Sequence, residues 1–538
     1  MMTVGKLLAE FRSQGIELWA DGQELRYRAP ERALPPERLQ AIRARKAEIL
    51  EFLRAGPAPW EPGLPAARPP IVAGLRPPMI PLSFEQEGLW FLEQLGLAKE
   101  AYYLPTMLRL KGALDVAALE RSLTEIIRRH ESLRTRFESV QGRGVQIVMP
   151  APELRFERID LSCCVVEERD QRAGELIRSE PRRAFDLSAG PPLRTMLLRL
   201  SEVEHVLLLT IHHIVADAWS MGILVKELSA LYVAYTREER SPLAPLPLQY
   251  ADYALWQRSG GLQDSELRRQ LEYWRRRLDG APAVLVLPTD RPRPLVASLK
   301  GDCWSFEVPL ALFARLAELG RKQGATLFMV LMAAYQTLLC RWSGQPDVLV
   351  GTPIACRQQR ELEGLIGFFI NTLVIRTDLA ADPTFCELLE QVKQTALEAY
   401  AHQELPFEKV VEALQPARQL GRQPLAQVQF MLQNTPPAAL ELPGVCVEAV
   451  ELERTTAKYD LNLAIRQTAV NFTLAFEFPT DLFETATIAR LAESFVVLLE
   501  GIAADPQRRI SALPLMTASE QRRLLEEWSG AGAMGQGK

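Results

Sequence analysis

The chain has 538 residues, 48% of them hydrophobic and 24% charged, with a net charge of −5. That length exceeds one ordinary core and predicts two to four domains. The evenly spread charge excludes a nucleic-acid footprint, and no uninterrupted apolar run reaches the ~18 residues of a membrane span.

The first fifty-odd residues read as a small unit. Residues 4–12 carry apolar positions at helical spacing, and two alternating runs flank Asp21-Gly22, a β-hairpin signal. Pro35-Pro36 opens one or two helices over 37–53. A Pro-rich segment, 56–78, predicts a semi-rigid extended linker. Strand-like runs follow at 104–110, 144–148, 195–200 and 205–211, with helical runs at 116–130, 167–178 and 221–236. A charged helix at 265–278 and the Pro-rich stretch 287–294 mark a second boundary. Beyond it the pattern predicts strands at 303–308, 348–352, 373–377, 427–432, 445–451 and 471–478, and helices at 310–323 and 326–343. Residues 517–528 predict a polar helix, and 516–538 read as a linker toward a further domain. The expectation is therefore an α/β (α+β) protein of two similar halves, 79–264 and 265–515, with a cleft between them. Seven scattered cysteines without C-x-x-C spacing predict no metal site and a reducing, cytoplasmic setting. The first apolar stretch contains Glu10 and Arg12, which argues against a secretory signal.

The most informative segment is HHIVADAWS, residues 212–220, between an apolar strand-like run and a helical run. Adjacent histidines at a strand end point to opposite faces, so one meets the core while the other faces a cavity. Imidazole titrates near neutrality and suits an amine proton. Asp217 falls in the loop before the helix. A carboxylate there would orient His213, act as a base, or pin the loop, and burial would demand a cation. Trp219 reads as core, and Ser220 as a cap or a channel-lining hydroxyl. His130, His205 and His402 read as structural.

Six more segments accompany this one in order: SFEQEGLWFL (83–92), RHESLRTRF (129–137), YADYALWQ (250–257), IGFFINTL (366–373), HQELPF (402–407) and RQPLAQV (422–428). Together the seven resemble the motifs of nonribosomal peptide synthetase condensation domains over residues 80–515. The resemblance implies two chloramphenicol-acetyltransferase-like lobes in a V shape with a central tunnel. It implies amide formation by attack of a carrier-bound aminoacyl amine on a carrier-bound acyl thioester. His213 is then the catalytic residue, as base or as positioner, and His212 is structural. Asp217 is salt-bridged to an arginine, with Arg357 the leading candidate and Arg291 the alternative. Asn371 and Thr372 fall on the tunnel crossover. Ala218 departs from the family's usual glycine, which permits positive φ and close substrate approach. Backbone N–H groups at 218 and 219 remain candidates for the oxyanion.

Residues 1–55 resemble the N-terminal docking domains of hybrid polyketide/nonribosomal-peptide assembly lines. That implies capture, at a hairpin edge, of the C-terminal peptide from an upstream protein of the assembly line, with Trp19, Arg26 and Arg28 as candidate contacts. Expected partners are this peptide, donor and acceptor carrier proteins, and an adenylation domain downstream in cis, with no nucleic acid and no membrane. No cofactor is expected on the chain itself, since the phosphopantetheine arms belong to the carriers. The alternatives are an epimerisation domain of the same superfamily or a noncatalytic recruitment module. The first needs a second acid/base motif with no evident counterpart here; intact His212, His213 and Asp217 oppose the second, whereas Ala218 leaves it room.

Overall fold

The computed structural model describes the strands Glu17–Asp21 and Glu24–Arg28 and residues 70–522, apart from 97–98, 152–155, 260–263, 416–421, 434–439, 451, 453–454, 469 and 518–519. The chain divides into two compact units, Met1–Pro70 and Ile71–Lys538. In the first, the two strands pair antiparallel, with Trp19 opposite Arg26 and Glu17 opposite Arg28. The expected helices at 4–12 and 37–53, and most of that at 517–528, lie outside the described residues.

The second unit contains two large mixed α/β sheets. One has five strands in the order Val445–Val450, Tyr103–Gly112, Glu204–His212, Leu193–Arg199 and Glu157–Asp160. The other has six, in the order Gly301–Pro309, Asn471–Pro479, Leu461–Gln467, Val428–Gln433, Asp347–Ala355 and Ile370–Asp378. A three-stranded sheet, Ile80–Pro81, Arg143–Val148 and Thr135–Val140, accompanies the first.

Helices Val116–Arg129 and Ala218–Thr236 cover one face of the five-stranded sheet, burying Leu119, Leu123, Ile126, Leu224 and Leu231. The helix Leu327–Ser343 is apolar around most of its circumference, so it belongs inside a core rather than on a surface. Its residues Val330 to Ala334 are completely buried against the six-stranded sheet. Thr326 opens it by accepting the Met329 N–H. Among the described residues no single helix is long and apolar enough to cross a membrane.

Two features depart from the sequence reading. The strand Val445–Val450 comes from the second half of the chain yet completes the sheet of the first, pairing antiparallel with Tyr103–Gly112 from Val445 opposite Gly112 to Val450 opposite Met107. The last residues of the expected linker 56–78 carry no helix or strand over 71–77 but are anchored at two points. Ile71 is buried with Leu248 and Tyr250, and Arg76 makes a two-pronged contact with Asp252, 2.8 Å on each arm. A buried carboxylate needs a cation, and the planar guanidinium fork matches it.

Candidate functional site

The strand Glu204–His212 is buried on both faces. Leu207, Leu209 and Ile211 join one core cluster while Val206 and Leu208 join another, as period-two alternation requires. His212 is the last strand residue and is fully buried. Tyr103 and Phe185 enclose its ring at 5.4 and 5.7 Å between centroids. Its Nδ1 accepts the Ile214 N–H at 3.1 Å, which leaves the proton on Nε2, 3.5 Å from Glu93. Burial holds its pKa below the usual value. His212 is thereby committed to holding the turn.

His213 begins the tight turn His213–Val215, where the chain leaves the sheet. The residue is partly exposed, and its ring meets Phe368 edge-on at 5.2 Å. Its Nδ1 lies 2.8 Å from the Ala216 carbonyl oxygen. A carbonyl only accepts, so Nδ1 carries the proton and Nε2 keeps a lone pair. Burial, with the nearby Lys458 charge, pushes the His213 pKa down to about 3 from an ordinary 6.5. This imidazole is neutral throughout the physiological range and accepts hydrogen bonds at one fixed nitrogen.

The depressed pKa has a thermodynamic consequence. Between pH 6.5 and about 3 the unfolded chain binds a proton at this position that the folded chain refuses. Stability from this group is therefore full above pH 6.5 and lost as the pH falls through that window. His212 shifts in the same direction and adds to the loss. Urea midpoints measured down this range should fall less steeply in His213→Asn than in the parent; identical slopes would count against the neutral assignment.

Asp217 caps the helix Ala218–Thr236 and accepts the Ser220 N–H at 2.7 Å. Arg357 Nη2 lies 3.1 and 3.3 Å from its two carboxylate oxygens, and the Phe369 N–H donates to Oδ2 at 3.1 Å. All of Asp217's acceptor directions are thus spent on structure. Arg357 also donates to the Leu362 and Leu365 carbonyls, each at 2.6 Å, and lies over the Phe369 ring at 4.1 Å. Burial lowers its pKa, and the charge of Asp217 opposes that shift. Arg291 is elsewhere, donating to the Thr480 and Phe483 carbonyls.

Ser220 is buried, not channel-lining. Its Oγ accepts from Arg357 at 2.9 Å and from the Gly367 N–H at 3.1 Å, and its proton goes to Asp217 or to the Gly367 carbonyl. Trp219 is not core either: it is 43% exposed, and its indole N–H donates to the Glu363 carbonyl at 2.9 Å. The first helical turn faces outward there, and the sequence pattern did not show which face that was. Ala218 is the first residue of the helix, and its φ is not positive. The backbone at that position therefore makes no demand for glycine, and the first-turn N–H groups keep their helical orientation without an intrahelical acceptor.

The other motifs converge on the segment 366–369. Ser132 donates to the Ile366 carbonyl at 2.7 Å, and His130 Nδ1 accepts the Ile366 N–H at 3.3 Å. The Tyr250 hydroxyl donates to the Phe368 carbonyl at 2.6 Å and lies 2.8 Å from Ser83 Oγ. Gly367 is required by close approach, since a Cβ there would sit 2.1 Å from Tyr250 Cδ2. Asn371 is buried, donating to the Gln403 and Leu405 carbonyls and accepting the Phe407 and Thr372 N–H groups. It ties the HQELPF segment to the strand edge. His402 stacks on Tyr273 at 3.9 Å.

Sequence reasoning missed Lys458, whose ammonium lies 3.8 Å from the Tyr102 ring centroid. It also missed Phe368, although its motif was recognised. Neither carries a local signal; the chain brings both to His213 from far along the sequence. A separate cavity of about 410 Å³ has Thr326, Phe328, Thr352, Tyr400 and Phe472 in its walls, and no residue of the histidine segment lines it.

Comparison with known proteins places these features. The family model described as "Condensation domain" matches residues 78–525, and that of the "TubC N-terminal docking domain" matches residues 4–55. Two of the proteins that make up the linear gramicidin synthase of Brevibacillus parabrevis are similar to this chain. One is 47% identical over 462 residues, 86% of this chain and 6% of that protein. The other is 48% identical over 452 residues, 84% of this chain and 9% of that protein. The chain thus spans under a tenth of the length of these two relatives. Among solved structures, the X-domain from teicoplanin biosynthesis superposes with a TM-score of 0.76 at 34% identity, covering 83% of this chain and all of that one. The first condensation domain of the calcium-dependent antibiotic synthetase shares the fold, with a TM-score of 0.66 at 21% identity, covering 81% of this chain and 99% of that one. The chain belongs to the condensation-domain family of nonribosomal peptide synthetases, with a TubC-type docking domain ahead of the condensation fold.

Proposed function

We propose that the chain joins an acyl or peptidyl thioester on an upstream carrier to the amine of an aminoacyl thioester on a second carrier. The two substrates ride on phosphopantetheine arms of those carriers and meet in a tunnel between the lobes 79–264 and 265–515. One observation carries this reading. His213 is partly exposed and carries an acceptor-only Nε2, its tautomer fixed by the 2.8 Å contact to the Ala216 carbonyl. A neutral, oriented imidazole aligns the attacking N–H, and tethering both reactants supplies the rest of the acceleration. As the new N–C bond forms, the C–S bond breaks and the thiolate leaves on the donor arm. Asp217, Ser220 and Arg357 hold the loop and touch neither reactant. Thr372 faces the tunnel.

The test is reconstitution with a loaded donor carrier and an aminoacyl acceptor carrier, read by intact-mass spectrometry. Amide on the acceptor carrier supports the reading. Racemised donor without new amide would favour an epimerase, and tight carrier binding without either product a recruitment module.

The N-terminal unit binds the C-terminal peptide of an upstream assembly-line protein at the edge of its hairpin, Trp19, Arg26 and Arg28 being the contacts. The double substitution Arg26→Glu, Arg28→Glu is expected to weaken binding of an acidic upstream peptide by about tenfold or more, mainly through association rate. Calorimetry at two salt concentrations checks it. An adenylation domain acts downstream in cis, and the assembly works in the cytoplasm.

A further inference from the structure

The segment ahead of the first motif is pinned to the fold at its two ends. Ile71 is buried with Leu362, Leu365 and Phe369. Five residues on, Arg76 precedes Pro77, whose ring disfavours a helical backbone at the residue before it. Between these anchors Val72 and Leu75 face solvent. The two anchors, not a continuous apolar face, hold the segment down.

Arg76 spans two carboxylates. Its Nε and Nη2 donate to the two oxygens of Asp252, each at 2.8 Å, and its Nη1 donates to Glu131. A planar fork with donors on both edges fits that pair, which a single ammonium would not. Each carboxylate belongs to a support of the segment 366–369. Asp252 lies in the first turn of the helix Tyr250–Arg258 and accepts the Gln249 N–H at 2.9 Å. The Tyr250 hydroxyl of that turn donates to the Phe368 carbonyl at 2.6 Å. Glu131 opens the turn Glu131–Arg134, in which Ser132 donates to the Ile366 carbonyl at 2.7 Å. Gln249 stitches the two supports together, donating to the Arg129 carbonyl at 2.9 Å and accepting the Glu131 N–H at 3.1 Å. The segment held in this way sets the Phe368 ring against His213 at 5.2 Å. Through Gly367 it also bonds Ser220, which bonds Asp217. Apart from the covalent chain, every link from Arg76 to the imidazole is a hydrogen bond, an ion pair or a ring contact.

We propose that Arg76 is a positioning residue for His213. By clamping Asp252 to Glu131 it fixes both supports of the segment 366–369, and that segment fixes the face on which the imidazole rests. This rests on the condensation reading above. Without the guanidinium, a carboxylate only 3% exposed would lie beside a second one, and the two supports would part. The imidazole would keep its tautomer, which the Ala216 carbonyl sets, and lose its orientation.

The test uses the whole chain with loaded donor and acceptor carriers, comparing the parent with Arg76→Ala, Arg76→Lys and Arg376→Ala. The last strips a comparable two-pronged bridge, from Arg376 to Asp347 at 3.1 and 2.8 Å, at the far end of the strand Ile370–Asp378. Arg76→Ala is expected to lower kcat for amide formation about tenfold with the KM of both carriers unchanged, since a small misplacement is costly to an aligned reaction. Arg76→Lys keeps the charge and loses the fork; it should show the same split to a smaller extent, and it decides the matter if Arg76→Ala does not fold. Arg376→Ala should lower the urea midpoint and keep the parent kcat. The chain has five histidines, so His213 can be followed by imidazole nitrogen NMR, its signal assigned by its loss in His213→Ala. That signal should move in the Arg76 variants and stay in Arg376→Ala. An unmoved signal, a raised KM at parent kcat, or an equal kcat loss in Arg376→Ala overturns the proposal. A parent protein that makes no amide overturns the condensation reading and this inference with it; an active parent matched in rate by Arg76→Ala overturns this inference alone.

Discussion

His213→Ala is expected to lower the amide-forming rate by about 10²-fold, near the bottom of the 10²–10⁴ range for an acid–base side chain. The reason is the low proton affinity of this ring: with a pKa of about 3 it accepts a hydrogen bond well and a full proton poorly. Its loss removes orientation, while the tethering of both arms persists. Carrier binding should change little, whereas thermal stability should fall modestly, because the carbonyl of the fully buried Ala216 loses its side-chain partner, the His213 Nδ1–H. A single-turnover assay by intact mass separates these. A variant that matches the parent rate would remove the assigned role, and one that lost carrier binding as well would make the residue structural.

Arg357→Ala is expected to destabilise the protein by about 3–5 kcal/mol, the usual cost of stripping one partner from a buried ion pair. Asp217 is 1% exposed, so its carboxylate would be left charged without a counter-ion. The Leu362 and Leu365 carbonyls and Ser220 would lose their donor as well. Arg357→Lys should rescue little, since one ammonium cannot span four acceptors held by a planar fork. Removing both members, Asp217→Ala with Arg357→Ala, should cost clearly less than the sum of the two single changes. Urea unfolding of all four proteins measures this, and strict additivity would show that the pair is not coupled.

Strands such as 205–211 and 303–308 were legible in the sequence from their apolar or alternating residues, and the structure extends them by only one or two residues, to Glu204–His212 and Gly301–Pro309. The central strand Leu461–Gln467 was missed. Its short apolar run lies beside polar and charged residues, and only pairing with Val428–Gln433 and Asn471–Pro479 makes it a strand. Within the site, the histidine segment could be read locally because its parts are adjacent in sequence. Trp219 was misread because an indole looks like core until its N–H is seen to bond the Glu363 carbonyl at a half-open surface. Lys458 had no signal at all. Its meaning comes from what surrounds it, and Tyr102 and His213 are hundreds of residues away along the chain.

The borrowed strand Val445–Val450 governs how the polypeptide is made. Until residue 450 has left the ribosome, Tyr103–Gly112 is the raw margin of its sheet, with a row of backbone N–H and C=O groups open to any other extended peptide. The strand Tyr103–Gly112 must therefore wait, unpaired on that side, for more than three hundred residues. A fragment that stops near residue 264 should self-associate through that margin, and a synthetic peptide of sequence 442–450 added in trans should suppress it.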